Sequence, residues 1–434
     1  MCYKRMKSTV EELPPIVVTQ EKDIDKDKDN DALNTQSMKR LNLSGSILSN
    51  YKTTPPASPS KVLLNMNCAE RVFHQSGKVE GHLFTLNSKS KIPSSVKLEC
   101  TKRSNLEVTS NSVGRIFVRL KGGDKISWFT GTGFCVSHDK VITAAHVVNF
   151  DLNNSTTTTT SGLTSIKRIN SRSSLSDDVS WSMDKIYICF IPDTSIDHEV
   201  DTNSLEENDD FYELETCGRQ DIDQHFKDHL VYIKQTDDNK SVSYKWKTIK
   251  NDIEVLRFKN PQKRREEYLL PSFTSKENLK EFWCCGYPGH IELEVFQDDY
   301  QGKDVDMKEL YNSVNKMTSG FQKKTIALSE SAHIHDNQYL SVHQCPTLKG
   351  MSGGIIASSN EANKFLGVHI GGSNDTDIHT NFAISVTHPL FCYVYQKHIL
   401  SDQHFMSKHR DQLQPYINYI NNFNFPKNND LLPP

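Results

Sequence analysis

Short β-like runs separated by turn residues follow one another through most of the 434-residue chain. The first clear run is Val113–Leu120 (VGRIFVRL), which is rich in β-branched and aromatic residues and is followed by the turn Gly122-Gly123. Many short strands with turn signals are typical of an all-β sandwich or barrel. Because the runs fall into two clusters, before and after about residue 250, the sequence predicts two β-barrels.

Other parts of the chain are more polar than a barrel allows. Apolar residues make up 36% of the sequence and the mean hydropathy is −0.58, which is low for a chain that folds along its whole length. Hydrophilic insertions are predicted at 151–180 and, with helical character, at 292–325. The sequence therefore predicts four regions: a disordered polar tail (1–70), an extension with the first barrel (71–250), the second barrel (251–400) and a polar carboxy-terminal tail (401–434).

Charge and cysteine usage exclude several classes of function. A net charge of −3 without a concentrated basic face argues against nucleic-acid binding. The chain starts without the apolar core of a signal peptide and has no run of 18 apolar residues, so we expect no membrane contact and a cytoplasmic or nuclear site. The ten cysteines include no CxxC pair and are expected to be free thiols. His333, His335 and His343 lack metal-ligand spacing, so no metal is predicted.

The first candidate catalytic residue is His146. It ends the string Val141-Ile-Thr-Ala-Ala-His146, and Gly131-Thr-Gly-Phe lies just upstream. A histidine at the end of an apolar strand, in a tight Ala-Ala turn, is held rigidly by its backbone. A general base needs that rigidity because its Nε2 must reach the nucleophile. The non-catalytic alternative is that His146 is a buried histidine with a purely structural hydrogen bond.

The second candidate is Ser352, in Gly350-Met-Ser-Gly-Gly354. Glycines allow the sharp turn that exposes a nucleophilic serine. They also direct the amides of Gly350, Met351 and Ser352 towards one point, where an oxyanion would form. The base precedes the nucleophile in the chain, which is the reverse of the order in α/β-hydrolases. An ordinary Gly-Ser turn is the alternative, and the histidine string weighs against it.

The strings ITAAHVV, GYPG, GMSGG and GVHIGG, in that order, resemble the trypsin-like (chymotrypsin-fold) serine peptidases. More narrowly they are similar to the glutamyl-endopeptidase branch and related intracellular trypsin-like peptidases. The resemblance covers about residues 105 to 395. It implies two six-stranded antiparallel barrels with a closing carboxy-terminal helix. It also implies a serine endopeptidase that acts on peptides or proteins through an acyl-enzyme and requires no cofactor. The alternative is a weak or inactive protease fold that binds peptides.

The third member of the triad is not marked by a comparable string. The family places an aspartate at the start of a strand of the form D-L-A-L-L-K. The match selected is Asp228, although Lys234 lies six positions after it and five after His229. Asp228 is preferred because only a carboxylate both orients the imidazole and stabilises its charged form. Asp223 and Asp221 are the alternative candidates for the triad acid. The non-functional interpretation is that Asp228 is an exposed aspartate in a polar loop.

The resemblance also implies a specificity pocket. Thr347 lies five residues before Ser352, and His369 lies on the strand Gly367–Gly372. In glutamyl endopeptidases, and in viral chymotrypsin-like proteases that cut after glutamine, a threonine and a histidine at matching places bind the P1 side chain. The expected P1 residue is therefore Glu or Gln. Pro346 replaces the aspartate of a trypsin-like pocket, which argues against Arg or Lys. The alternative is that His369 is a strand residue with no role in substrate binding.

Overall fold

The structure is a computed structural model, and all of its described residues belong to one unit of the fold. The described residues are 83–149, 181–194, 205, 207–218, 232–237, 240–245, 252–273, 281–299, 306–329, 335–336, 341–343, 345–372 and 381–422. The predicted disordered tail at 1–70 and the predicted insertion at 151–180 lie outside them. Among them, no helix has both the length and the apolar character needed to cross a membrane.

A closed barrel of six antiparallel strands forms the first half of the fold. Ile116, Val118 and Leu120 of one strand point into its core and are fully buried. In spatial order the strands are β2, β3, β4, β9, β6 and β5, with bounds β2 (Val113–Gly122), β3 (Lys125–Cys135), β4 (Lys140–Thr143), β5 (Ser182–Cys189), β6 (Phe211–Thr216) and β9 (Glu254–Phe258). The predicted first barrel is confirmed, but its boundary at residue 250 is wrong, because β9 closes the barrel from beyond it.

The second half is an eight-stranded antiparallel sheet. In spatial order it contains β1 (Leu83–Thr85), β12 (Thr325–Leu328), β11 (Phe282–Gly286), β15 (Ile355–Ser358), β17 (Gly367–Gly372), β18 (Asn381–Ser385), β14 (Ser341–His343) and β13 (His335–Asp336). Among the described residues the two end strands do not pair, so the predicted second six-stranded barrel is not shown. The strand β1, from the amino-terminal extension, pairs as an edge strand with β12.

Two small strand pairs accompany these sheets. One is an antiparallel hairpin within the long segment between β6 and β9, and the other is a short parallel bridge. Their strands are β7 (Tyr232–Asp237) with β8 (Lys240–Lys245), and β10 (Leu270–Pro271) with β16 (Lys364–Phe365).

Helices fill the connections and the carboxy-terminal end. The predicted helical insertion contains a helix capped by Asp306, whose side chain accepts hydrogen bonds from the amides of Lys308 and Glu309. The predicted closing helix begins after His388, whose side chain accepts from the Leu390 amide. The helices are α1 (Cys100–Ser110), α2 (Ala145–Val148), α3 (Leu293–Asp299), α4 (Met307–Met317), α5 (Pro389–Tyr395), which continues as a π-helical turn (Gln396–Leu400), and α6 (Gln403–Asn422).

The helix α6 occupies most of the segment predicted as a polar tail. Its buried residues are Phe405, Leu413, Tyr416 and Ile420. Their spacing puts them on one face of the helix, which packs in the main hydrophobic core. The average polarity of the segment conceals this stripe, and the polar-tail interpretation is corrected accordingly.

A buried lysine joins the two halves of the fold. Lys324 is fully buried, and its Nζ donates hydrogen bonds of 2.9 Å to the carbonyl oxygens of Ser110 and Phe190. The ring of Tyr287 lies 5.6 Å from the same nitrogen. Burial lowers the pKa of Lys324 to about 8. The ammonium group is therefore retained at neutral pH against a desolvation cost, which the carbonyl contacts offset only in part.

Stability is expected to depend on pH through Lys324. Its pKa is about 8 in the folded protein against an ordinary 10.5, so the unfolded chain binds more protons between these values and stability rises with pH there. The unfolding free energy of the wild type, minus that of Lys324→Met, should rise by roughly 2 kcal/mol from pH 8 to 10. Denaturant unfolding at several pH values measures it. Lys102→Met, at a lysine whose pKa is raised, should show no such growth. A constant difference for Lys324→Met would contradict the prediction.

Candidate active site

His146 lies on the single helical turn α2, directly after β4. Thr143, the last residue of β4, is buried, and its Oγ1 donates to the carbonyl oxygen of Thr132 on β3 at 2.6 Å. Ala144 and Ala145 are also buried, which leaves no room for larger side chains. The imidazole of His146 keeps a quarter of its surface exposed. The turn therefore fixes the backbone of this histidine while leaving one edge of its ring accessible.

A carboxylate holds His146 at two points. Asp252 Oδ2 lies 2.8 Å from His146 Nδ1, and Asp252 Oδ1 accepts the His146 backbone N–H at 2.9 Å. The Asp252 side chain is only 3% exposed. Because a carboxylate can only accept, Nδ1 carries the proton and Nε2 presents a lone pair. This is the tautomer that a general base requires.

The aspartate selected from the sequence is a different one. Asp228 lies outside the described residues, as do Asp221, Asp223 and His229. The signal for Asp252 was present, since D-I-E-V-L-R (252–257) has the form D-L-A-L-L-K with arginine in place of lysine. Sequence reasoning missed it because the search required a lysine and ended the first barrel at residue 250.

The turn around Ser352 depends on two glycines in the left-handed region. Gly350 has φ +97° and Gly353 has φ +86°. A Cβ on Gly353 would lie 2.0 Å from the Thr132 carbonyl oxygen, and one on Gly350 would lie 2.4 Å from the Gly289 nitrogen. Both positions therefore require glycine for conformation and for space. Ser352 itself is 6% exposed.

Thr132 connects the turn to the first barrel. Its N–H donates to the Ser352 carbonyl oxygen at 3.0 Å, and its Oγ1 donates to the Gly350 carbonyl oxygen at 2.9 Å. The same Oγ1 accepts the Tyr287 N–H at 2.9 Å. The sequence pattern gives Thr132, within the string GTGF, no role. In the structure it is one of the residues that join the half carrying His146 to the half carrying Ser352.

The two predicted catalytic residues are brought to one place. A Cβ on Gly353, the neighbour of Ser352, would lie 2.3 Å from Thr143 Oγ1 and 3.0 Å from the Ala144 nitrogen. Ala144 is two residues before His146. The turn 350–354, which we call the nucleophile turn because it carries the predicted nucleophile, therefore packs against the residues just before His146, at the boundary between the barrel and the second sheet.

The backbone amides near Ser352 divide into two kinds. The Met351 N–H donates to the Leu348 carbonyl oxygen at 2.9 Å, so it is engaged within its own turn. The Gly350 N–H has no hydrogen-bond partner within the described part of the chain. The engaged Met351 amide is therefore not a candidate oxyanion donor, and the sequence-based prediction of the Gly350 and Ser352 amides stays a prediction.

The predicted pocket residues are buried beside this turn. Thr347 and His369 have no exposed surface, so His369 does not face solvent. Its backbone exchanges 2.8 Å hydrogen bonds with Gly353 and Gly354. His369 Nδ1 lies 3.1 Å from His343 Nε2. Burial, and then the neighbouring His369, lower the pKa of His343 well below its ordinary value, which keeps His343 neutral.

Cys345 precedes Thr347 by two residues and is also fully buried. Burial raises the pKa of its thiol far above the ordinary value, as expected for an inert cysteine rather than a nucleophile. Across the described ranges, no group of three histidine, cysteine or acidic side chains is arranged to hold a metal ion.

Comparison with known proteins gives little for assigning a family. No family model matches the chain, and no curated protein matches it. Among solved structures, the chain is similar to the Rv3671c protease in its inactive form. The two are 15% identical, with a TM-score of 0.33, and the match covers 69% of this chain and 96% of the other. A functional assignment therefore depends on the geometry described above.

Proposed function

We propose that this protein is a serine endopeptidase in which Ser352 is the nucleophile, His146 the general base and Asp252 the triad acid. The observation that carries the proposal is the two-point contact of Asp252 with His146, at 2.8 and 2.9 Å. Asp252 takes the role that sequence reasoning gave to Asp228. A buried carboxylate that accepts the Nδ1–H leaves Nε2 as the nitrogen that can accept a proton from the serine.

The arrangement supports acyl transfer without a cofactor. His146 Nε2 takes the Ser352 hydroxyl proton as Oγ attacks the scissile carbonyl carbon. The carbonyl oxygen becomes an oxyanion, for which the Gly350 and Ser352 amides are the donors. His146 then gives the proton to the leaving amine, and the C–N bond breaks to leave an acyl-enzyme. Water, activated by the same imidazole, hydrolyses this ester. One oxyanion donor typically contributes about 10²-fold or more to kcat.

The proposed P1 residue is glutamate or glutamine. Thr347 and His369 both lie in the fully buried region next to the nucleophile turn. A hydroxyl and an imidazole can each donate to a carboxylate or amide oxygen in a site with little water. Because both groups donate to an oxygen acceptor and neither carries a negative charge, they disfavour Arg and Lys at P1.

The test combines a covalent probe with a peptide library. A fluorophosphonate should label the wild-type protein and not Ser352→Ala, because the probe reacts with a serine activated by a neighbouring base. A library digest should then show Ser352-dependent cuts after Glu or Gln. Labelling with cuts after other residues would overturn the pocket assignment alone. A folded wild-type protein that neither labels nor cuts would overturn the peptidase and favour the peptide-binding alternative.

A further inference from the structure

A second buried carboxylate lies two residues beyond Asp252. Glu254, the first residue of β9, is 1% exposed. Its Oε2 accepts a hydrogen bond from Asn149 Nδ2 at 2.7 Å. Asn149 follows α2 as its capping residue, and its backbone N–H donates to the Ala145 carbonyl oxygen at 2.7 Å. Glu254 is therefore attached to the end of the segment 145–149, which we call the histidine turn.

The histidine turn is consequently held at both ends by one short stretch of chain. Near its start, Asp252 accepts the His146 N–H, and at its end Glu254 accepts the Asn149 side-chain amide. Residues two apart on an extended segment point to the same side. The intervening Ile253 is buried in the hydrophobic core instead. The two carboxylates thus hold the two ends of the turn that carries the His146 imidazole.

Packing alone does not account for a glutamate at this position. In the β4–β9 ladder Glu254 lies opposite Thr143, and the adjacent Val255 is a core residue. An apolar side chain could fill such a site without desolvation cost, whereas a buried carboxylate is unfavourable unless it is hydrogen-bonded. Its 2.7 Å bond to Asn149 Nδ2 supplies such a hydrogen bond.

We propose that Glu254 is a positioning residue for the general base: through Asn149 it keeps the histidine turn aligned with Ser352, and its charge supports the imidazolium formed during catalysis. The inference rests on the proposed peptidase function. Glu254 does not touch the reacting atoms in this scheme, so its effect is transmitted through the turn and through the local electrostatic field.

The charged and titratable groups around Glu254 define what its removal would change. Asp252 is the carboxylate on the same side of the chain. Lys140 of β4 lies opposite Arg257 of β9 in the antiparallel ladder. Cys217 donates its N–H to the Val255 carbonyl oxygen, and its pKa is raised to about 11, mainly by burial, with a further contribution from Glu254. Cys217 therefore stays neutral near pH 7, so the negative charge that Glu254→Gln is designed to remove is that of Glu254 alone.

The experiment compares four variants at the proposed contact with one control. Glu254→Ala, Asn149→Ala and the double variant remove the contact, whereas Glu254→Gln keeps an oxygen acceptor for Asn149. Glu215→Gln is the control, since this exposed carboxylate contacts Arg257 on the same barrel. Two quantities are measured for each: the pH profile of kcat/KM, and the His146 imidazole pKa by NMR, with the resonance assigned by its loss in His146→Gln.

Each alanine variant is expected to lower kcat/KM about tenfold through kcat, with the double variant no worse than either single one, because both remove one contact. Glu254→Gln should keep most of the activity and move the acid limb and the His146 pKa to lower pH. Glu215→Gln should match wild type. If all variants retain the wild-type pKa and kcat/KM and differ only in melting temperature, the positioning role is overturned. The NMR measurement needs no turnover, so it reports on Glu254 even if the protein hydrolyses nothing.

Discussion

Replacing Asp252 with asparagine is expected to lower kcat by about 10⁴-fold, with little change in KM or melting temperature. The reason lies in the two contacts of this side chain. The His146 backbone N–H must keep its oxygen acceptor, which places the single amide oxygen of asparagine at that position. The amide NH₂ then faces Nδ1 and donates to it. The proton moves to Nε2, and the imidazole can no longer accept a proton from Ser352.

Steady-state kinetics of Asp252→Asn beside Asp228→Asn measures this effect on a matched pair. Both variants exchange one carboxylate for an amide of the same shape, so any loss of kcat reports the role of the charge. Asp228→Asn should retain activity close to that of wild type. Should the loss follow Asp228 instead, the triad acid proposed from the geometry would be wrong, while the roles of His146 and Ser352 would stand.

Substituting Gly353 with alanine is expected to reduce kcat by at least about 10³-fold and to prevent fluorophosphonate labelling. The added methyl group would lie 2.0 Å from the Thr132 carbonyl oxygen, a backbone atom that cannot rotate away. Relief of the clash requires the nucleophile turn or β3 to move by more than an ångström. Displacements of that size typically cost about 10²-fold in rate, and the positive φ adds backbone strain.

The matched control for this prediction is Gly218→Ala. Gly218 has φ +88°, close to the +86° of Gly353, but no atom of the described residues lies within 4 Å of the position its Cβ would take. Both variants therefore carry the same backbone strain, and only one carries the clash. Labelling rates and melting temperatures should show a modest loss of stability in both and a loss of reactivity in Gly353→Ala alone. Equal reactivity in the two would refute the spatial argument.

Local strings selected the candidate residues whose surroundings are set by their neighbours in the sequence. His146 and Ser352 each lie in a turn whose small residues are specified by neighbours in the sequence. Asp252 is different, because its role is set by a tertiary contact across a long intervening segment. Its strand could be recognised only by allowing arginine in place of lysine at position 257. Glu254 and Asn149 left no signal that the family pattern would select.

The fold was predicted in the same uneven way. The alternating runs predicted the first barrel. They did not predict that β9 belongs to it, because a long segment of chain separates β9 from β6. In the second sheet, the edge strand β1 comes from the amino-terminal extension, which the sequence did not assign to the second barrel. The helix α6 was missed since four apolar residues, at the spacing of one helical face, are outnumbered by polar ones.

The bonds made by Thr132 have a consequence for protein synthesis. Translation delivers the barrel residues that surround Thr132 before Tyr287 and Gly350 leave the ribosome. Until they do, Thr132 lacks the partners that join it to the second sheet. Because Thr132 supplies two of the hydrogen bonds that hold the turn around Ser352, we expect this turn to take its final shape only once β3 is in place. On the proposed function, a growing chain would gain hydrolytic competence only after both halves have been synthesised.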